Sequence, residues 1–268
     1  MTAAIAENTV NQIDALELLR ALPEASVDCV LTDPPYGTTA CAWDTPIDLV
    51  AWWAAVRRVV KRNAAIVMTA SQPFTSALVM SKAKWFRYEW IWDKKNSTGF
   101  LNAAKQPLRR HENVLVFSIA GTYYEPQMGT GEAYSVKRGG MAEIYGQPRM
   151  SSVNDGERFP TSIIEQSYGG EKYAAIHPTQ KPVALFEYLI RTYTRPGDLV
   201  VDPFGGSGTT AVAARNLGRR YITGDTDAGY CEIMRRRLSE PYTPQLFADE
   251  ADAVDDAPRQ VEMFEATP

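Results

Sequence analysis

The stretch Asp198-Leu199-Val200-Val201-Asp202-Pro203-Phe204-Gly205-Gly206-Ser207-Gly208-Thr209-Thr210-Ala211-Val212-Ala213-Ala214 reads as a short apolar strand, a glycine-rich turn and the opening of a helix. Glycines let a backbone approach a bound group closely, and the helix N-terminus behind such a turn favours negative charge. The spacing is not G-x-G-x-x-G, and the turn lacks the Lys of a phosphate-cradling loop. About 20 residues further on, where nucleotide-binding folds place a ribose-binding acid, stands Tyr221-Ile222-Thr223-Gly224-Asp225.

Elements of the same kind extend outward from this unit. Downstream, residues 220–224 are predicted as a strand and 228–238 as a helix; upstream, 183–194 are predicted as a helix behind Pro182, a residue tolerated at helix starts. Nearer the N-terminus, 27–32 and 64–69 read as strands, with a helix over 46–61 whose buried face carries Trp52, Val56, Val59 and Val60. A helix over 74–83 and strands over 87–92 and 113–118 follow. This alternation predicts an α/β fold, a doubly wound and mostly parallel sheet covered on both faces, with ligands at the carboxyl ends of its strands. Residues 121–175 sustain no period and are predicted to be an irregular, functional insertion.

The strand over 27–32 ends in Asp33-Pro34-Pro35-Tyr36. Proline fixes φ and has no N–H, so the sheet cannot continue past Asp33. The Asp33 carboxylate and Pro34 carbonyl become two acceptors beside a ring that can stack, a set suited to a planar heterocycle with an exocyclic amino group. An ordinary exit from a strand would also accommodate these four residues. The following segment, Gly37 to Asp44, is a candidate for closing over them.

Taken together and in this order, the segments resemble the DNA amino-methyltransferases of the permuted kind, in which Asp-Pro-Pro-Tyr precedes the cofactor loop. Asn11-Gln12-Ile13-Asp14-Ala15-Leu16-Glu17 is similar to that family's N-terminal acidic segment, with Ile13 where a Gly is usual. Trp90-Ile91-Trp92-Asp93-Lys94 with His111-Glu112-Asn113-Val114-Leu115-Val116-Phe117 resembles its paired strands beside the active site, and His177-Pro178-Thr179-Gln180-Lys181-Pro182 the segment before the cofactor loop. The resemblance covers residues 8–239 and implies a Rossmann-like fold and S-adenosylmethionine as cofactor.

It further implies that Asp33, Pro34, Pro35 and Tyr36 are catalytic, and that Asp202, Phe204, Gly205, Gly206, Ser207, Gly208 and Thr209 hold the methionine part of the cofactor. Asp225 is the candidate for the ribose hydroxyls and Asp14 for the adenine edge. His177, Thr179 and Lys181 fall at the cofactor's polar end, and Asp33 borders the cofactor as well. His177 could instead stabilise a loop, Lys181 be a solvated charge, and Asp227 cap a helix. Asp rather than Ser at position 33 leans, by resemblance, toward adenine N6 over cytosine N4. An RNA or protein-amide substrate, and then a silent DNA-binding module, stand as alternatives.

Composition fits one large domain. No apolar stretch approaches the ~20 residues of a bilayer span, and the first residues show no basic region followed by an apolar run. No secretory signal is therefore expected, and a cytoplasmic protein, bacterial or phage-encoded, is. Three dispersed cysteines and two histidines argue against disulfides and a metal site. The net charge of −4 divides unevenly: residues 245–268 carry −6, which leaves +2 for residues 1–244. Residues 1–244 are expected to be the catalytic domain and residues 245–268 an acidic, disordered tail. Lys94, Lys95, Arg109 and Arg110 belong to a basic, tryptophan-bearing stretch that suits the phosphate backbone of double-stranded DNA, though a solvated surface would look similar. Lys137, Arg138 and Arg149 in the insertion, with Gln147, Asn154 and Arg158, are candidates for reading a groove. Relatives implied by the resemblance are often homodimers. In the tail, Gln260-Val261-Glu262-Met263-Phe264 resembles the short peptide that bacterial replication proteins insert into the sliding clamp.

Overall fold

The structure is a computed structural model that describes residues 5–37, 44–136, 141–142, 147–148, 152–167 and 180–241. Most of the Gly37–Asp44 segment, and Lys137, Arg138, Arg149, His177, Thr179 and the peptide from Gln260 to Phe264, lie outside the described residues.

The central sheet is built from β1 (Thr9–Gln12), β2 (Val27–Thr32), β3 (Val60–Ala70), β4 (Phe86–Thr98), β5 (Arg109–Phe117), β6 (Ile163–Glu165), β7 (Leu199–Asp202) and β8 (Arg220–Asp225). Their order across the sheet is β1-β8-β7-β2-β3-β5-β4-β6. All neighbouring pairs are parallel except β3 with β5 and β5 with β4, so β5 alone runs against the rest. The helices are α1 (Ala15–Ala21), α2 (Leu49–Val59), α3 (Phe74–Ser81), α4 (Val183–Tyr193), α5 (Thr209–Asn216) and α6 (Ala228–Ser239).

Alternate residues of each strand feed two cores. Val30, Ile66, Met68, Leu115, Val201 and Ile222 face α1, α2 and α3, whereas Cys29, Leu31, Val67, Val116 and Val200 face α4 and α5. Burying each such side chain fully contributes about 1.5–3 kcal/mol, and a sheet buried on both faces explains why its strands read as continuous apolar runs. Trp52, Val56, Val59 and Val60 are buried as the sequence predicts. Val60 opens β3 rather than closing α2, however, because the chain passes from helix to strand without a loop.

Three features depart from the sequence reading. The strand β1 and helix α1 were not predicted: β1 is four residues long, too short for a period to register, and α1 is started by Asp14, whose carboxylate accepts from Leu16 N and Glu17 N. The hairpin of β4 and β5 runs farther than expected, through charged residues that pair across it. The insertion is not without strands. Residues 129–130 pair with 157–158, 134–136 with 152–154 and 141–142 with 147–148, all antiparallel, and β6 joins the main sheet. No helix among the described residues is long and apolar enough to cross a membrane.

Candidate active site

From β2 the chain proceeds through α2 to β3 on one side, and from β7 through α5 to β8 on the other. β2 and β7 are therefore the neighbours at which the winding reverses, and a crevice opens beyond their carboxyl ends. Asp33 follows the last residue of β2, and Asp202 is the last residue of β7. The two motifs touch directly: Thr32 Oγ1 donates to Asp202 Oδ1 at 2.6 Å. A cavity of about 770 Å³ runs along this edge, lined by Asp33, Pro34, Tyr36, Asp202 and the loop to Ser207, and also by Asp14 and Asp225.

Asp33 is enclosed by donors. Tyr36 Oη donates to its Oδ1 at 2.6 Å, Thr69 Oγ1 donates to the same oxygen, and Lys181 Nζ donates to Oδ2 at 2.7 Å. Burial, reinforced by the Asp33 charge, holds the Tyr36 phenol well above its usual pKa, so it remains a donor. One face of its ring is covered by Phe74, with centroids 5.6 Å apart. Burial works against the Lys181 charge, but Asp33, Tyr36 and Glu112 outweigh it and raise its pKa well above the ordinary value. Glu112 Oε2 lies 3.4 Å from Lys181 Nζ, and Glu112 Oε1 3.3 Å from Lys94 Nζ.

Asp202 is buried, and burial pushes its pKa up to about 6, against hydrogen bonds from Thr210, Thr32 and the Phe204 N–H that favour its charged form. In the loop, Gly206 N donates to Asp225 Oδ2 at 2.9 Å, which fastens the turn to the end of β8. Gly208 stands at φ 84°, a left-handed conformation that suits glycine, and opens α5. At Gly205 the demand for glycine comes from the protein itself. A Cβ there would collide with Thr223 Oγ1 and lie 2.8 Å from the Met234 sulfur. Thr209 Oγ1 donates to the Lys181 carbonyl and Ser207 receives Arg237, so the loop is braced from both sides.

The structure thus gathers Asp14, Asp33 to Tyr36, Lys181, the loop of Asp202 to Ser207, Thr209 and Asp225 around one cavity, and Gly208 is not among its lining residues. Other side chains singled out in the sequence are held by neighbours within the protein. Lys181, expected at the cofactor's polar end, has its ammonium on Asp33 and Glu112. Lys94, expected on a phosphate-binding surface, is 3% exposed and faces inward to Glu112. Lys95 is paired with Glu165. Arg110 makes two 2.8 Å bonds to Asp93 that hold its carboxyl below the usual range. Arg109 donates to Ser71 Oγ at the cavity wall. In the insertion, Arg158 bonds to Asn154 and to backbone carbonyls and packs on Tyr134, so both side chains are engaged within the insertion itself. Thr69 and Glu112 were not singled out. Both enter the site from strands, and the usable signal was a charged Glu112 next to the apolar run of β5.

The acidic side chains lining the cavity outnumber the basic ones, and the bare backbone of Gly205 and Gly206 borders it, an environment that fits a cationic nucleoside-bearing cofactor. The comparisons with known proteins agree on one relationship. The family model for N6 and N4 methyltransferases, described as DNA methylase, matches residues 27–236. The type II methyltransferase M2.DpnII of Streptococcus pneumoniae is 43% identical over 97 residues, a match spanning 35% of this chain and 35% of that protein. The crystal structure of the M1.HpyAVI–SAM complex is 25% identical, with a TM-score of 0.63 over 87% of this chain and 99% of its own. The cytosine-N4-specific PvuII DNA methyltransferase shares the fold, with a TM-score of 0.64 at 18% identity over 90% of this chain and 89% of its own. With the family model covering well over half of its length, the chain belongs to the DNA methylase family.

Proposed function

We propose that the protein transfers the methyl group of S-adenosylmethionine to N6 of adenine at a specific sequence in double-stranded DNA. The observation that carries this reading is the contact of the two motifs, Thr32 on Asp202, which sets the Asp33 acceptor beside the glycine loop in one crevice. The exocyclic nitrogen of adenine is a poor nucleophile, because its lone pair is delocalised into the ring. Accepting its N–H groups at Asp33 and at the Pro34 carbonyl favours a pyramidal nitrogen and stabilises the positive charge that develops there. Tyr36 fixes Asp33 through its hydroxyl and offers its ring to the base. Placement of the base contributes much of the rate, and reaching it requires the base to leave the helix at a cost of a few kcal/mol.

S-adenosylmethionine, when bound, supplies an electrophilic methyl group on its sulfonium. The residues that would hold it are Asp202 and the loop to Thr209, with His177 and Thr179 at its polar end, Asp225 at the ribose and Asp14 at the adenine edge. Arg109 at the cavity wall, with Lys137, Arg138 and Arg149, would meet the DNA. The working form is a cytoplasmic enzyme of a bacterium or its phage, with a homodimer and a clamp-binding tail peptide as its proposed associations. Failure of Phe264→Ala to weaken capture by clamp protein would remove the last of these.

The test is nucleoside mass spectrometry of unmethylated DNA incubated with protein and S-adenosylmethionine. N6-methyladenine is expected. N4-methylcytosine would keep the mechanism and replace the substrate, and the absence of any methylated base would overturn the reading.

A further inference from the structure

We infer that Lys181 is a placeholder on the Asp33 carboxylate: the amino group of the target base displaces it, and Glu112 receives it. Glu112 is then a positioning residue for methyl transfer, and the inference rests on the reading given under Proposed function.

Asp33 already has its donors. Its Oδ1 accepts two hydroxyl groups, and its Oδ2 accepts the Lys181 ammonium at 2.7 Å. An incoming amino group needs part of that carboxylate. Moreover, the nitrogen gains positive charge as the methyl group arrives, and a cation held at the same oxygen opposes that charge. Lys181 therefore has to withdraw before transfer, and it is 5% exposed, with water a poor refuge.

A second acceptor stands within reach. Glu112 Oε2 is 3.4 Å from Lys181 Nζ, and it is buried without a hydrogen bond among the described residues. A buried carboxylate oxygen without a donor is costly, and a fold that retains one beside a shared ammonium has a vacancy for it. The other Glu112 oxygen is anchored by Lys94, itself buried, so the carboxylate stays in place when the ammonium shifts. An ammonium carries three donors on a flexible stem, so Lys181 can pass from one carboxylate to the other without losing a charge partner. The transfer moves no proton and leaves the site's charge unchanged.

The experiment measures methyl transfer from labelled S-adenosylmethionine to unmethylated plasmid DNA. It compares the wild type, Glu112→Gln, Glu112→Asp and the double variant Glu112→Gln/Lys181→Met, with cofactor Kd and thermal midpoint taken on the same preparations. Glu112→Gln leaves Lys181 on Asp33 and is expected to lower kcat about tenfold or more, with cofactor Kd held. Glu112→Asp keeps the charge and retains more of kcat, and the double variant, freed of the competing ammonium, turns over faster than Glu112→Gln alone. Wild-type kcat in Glu112→Gln overturns the proposal. So does a double variant no faster than that single one, or a loss of cofactor affinity in step with kcat. Should Glu112→Gln fail to fold, Lys181→Met decides: methyl transfer retained at unchanged cofactor Kd supports the proposal, and a loss of kcat at unchanged cofactor Kd overturns it. A wild-type protein that transfers no methyl group would remove the underlying reading, a result distinct from all of these.

Discussion

Tyr36 shows how one side chain can serve twice, since its ring packs on Phe74 while its hydroxyl holds Asp33. Tyr36→Phe keeps the packing and removes the donor. Steady-state kinetics of methyl transfer should show kcat lowered about tenfold or more, with the thermal midpoint little changed; an equal loss in both would assign Tyr36 a structural role. Asp202 gives a pH signature. Its folded-state pKa of about 6 lies above the ordinary carboxyl value, so the folded state binds this proton more readily than the unfolded one. Its contribution to stability is full below the ordinary value and is lost as pH rises through 6. Cofactor binding runs the other way, because the carboxylate form suits a cationic ligand. Affinity measured by titration calorimetry should rise from pH 5 to 7.5, and Asp202→Asn should flatten the profile. Asp33, Tyr36 and Asp202 were legible because each sits in a local motif. Glu112 lay within the quoted segment His111 to Phe117, but neither it nor Thr69 was given a role, because their approach to the site depends on β3 pairing with β5, where Ala70 meets Asn113. No local pattern encodes that pairing.

At the scale of elements, the glycine loop is shaped by its neighbours as much as by its ligand. Gly205 packs against β8 and α6, and Gly205→Ala should destabilise the fold by about 1–3 kcal/mol, read as a lowered thermal midpoint even without cofactor. A midpoint equal to that of wild type would show that the loop has room the structure does not show. The long strands and amphipathic helices of the main sheet were readable from period and punctuation, because burial on both faces forces apolar runs on β2, β3 and β7. The strands of the insertion were not. They are two or three residues long and depend on partners such as residues 129–130 for 157–158, which no window on the sequence brings together. The β4–β5 hairpin was underestimated for a related reason: Lys94 and Lys95 read as part of a basic surface, yet Lys94 turns inward to Glu112 and Asp93 bridges across the hairpin to Arg110.

Over the whole molecule, the winding of the sheet brings residues 33–36 and 202–209 to one edge although more than half the chain separates them. That juxtaposition follows from strand alternation and was legible; the distribution of basic side chains over the surface was less so. Arg109 bonds to the neutral Ser71 and keeps its charge beside the cavity, so Arg109→Ala should weaken DNA binding at all sequences and reduce the slope of log affinity against log salt by about 1. An unchanged slope would place the phosphate path elsewhere. Methyl transfer as proposed requires Asp33 to be the acceptor for the reacting amino group. The measurement that addresses this most directly is single-turnover transfer of labelled methyl from S-adenosylmethionine to DNA, wild type beside Asp33→Ala, each saturated with cofactor. We predict transfer by the wild type and a rate lower by about a hundredfold or more in the variant; a variant that transfers methyl at the wild-type rate would contradict the account.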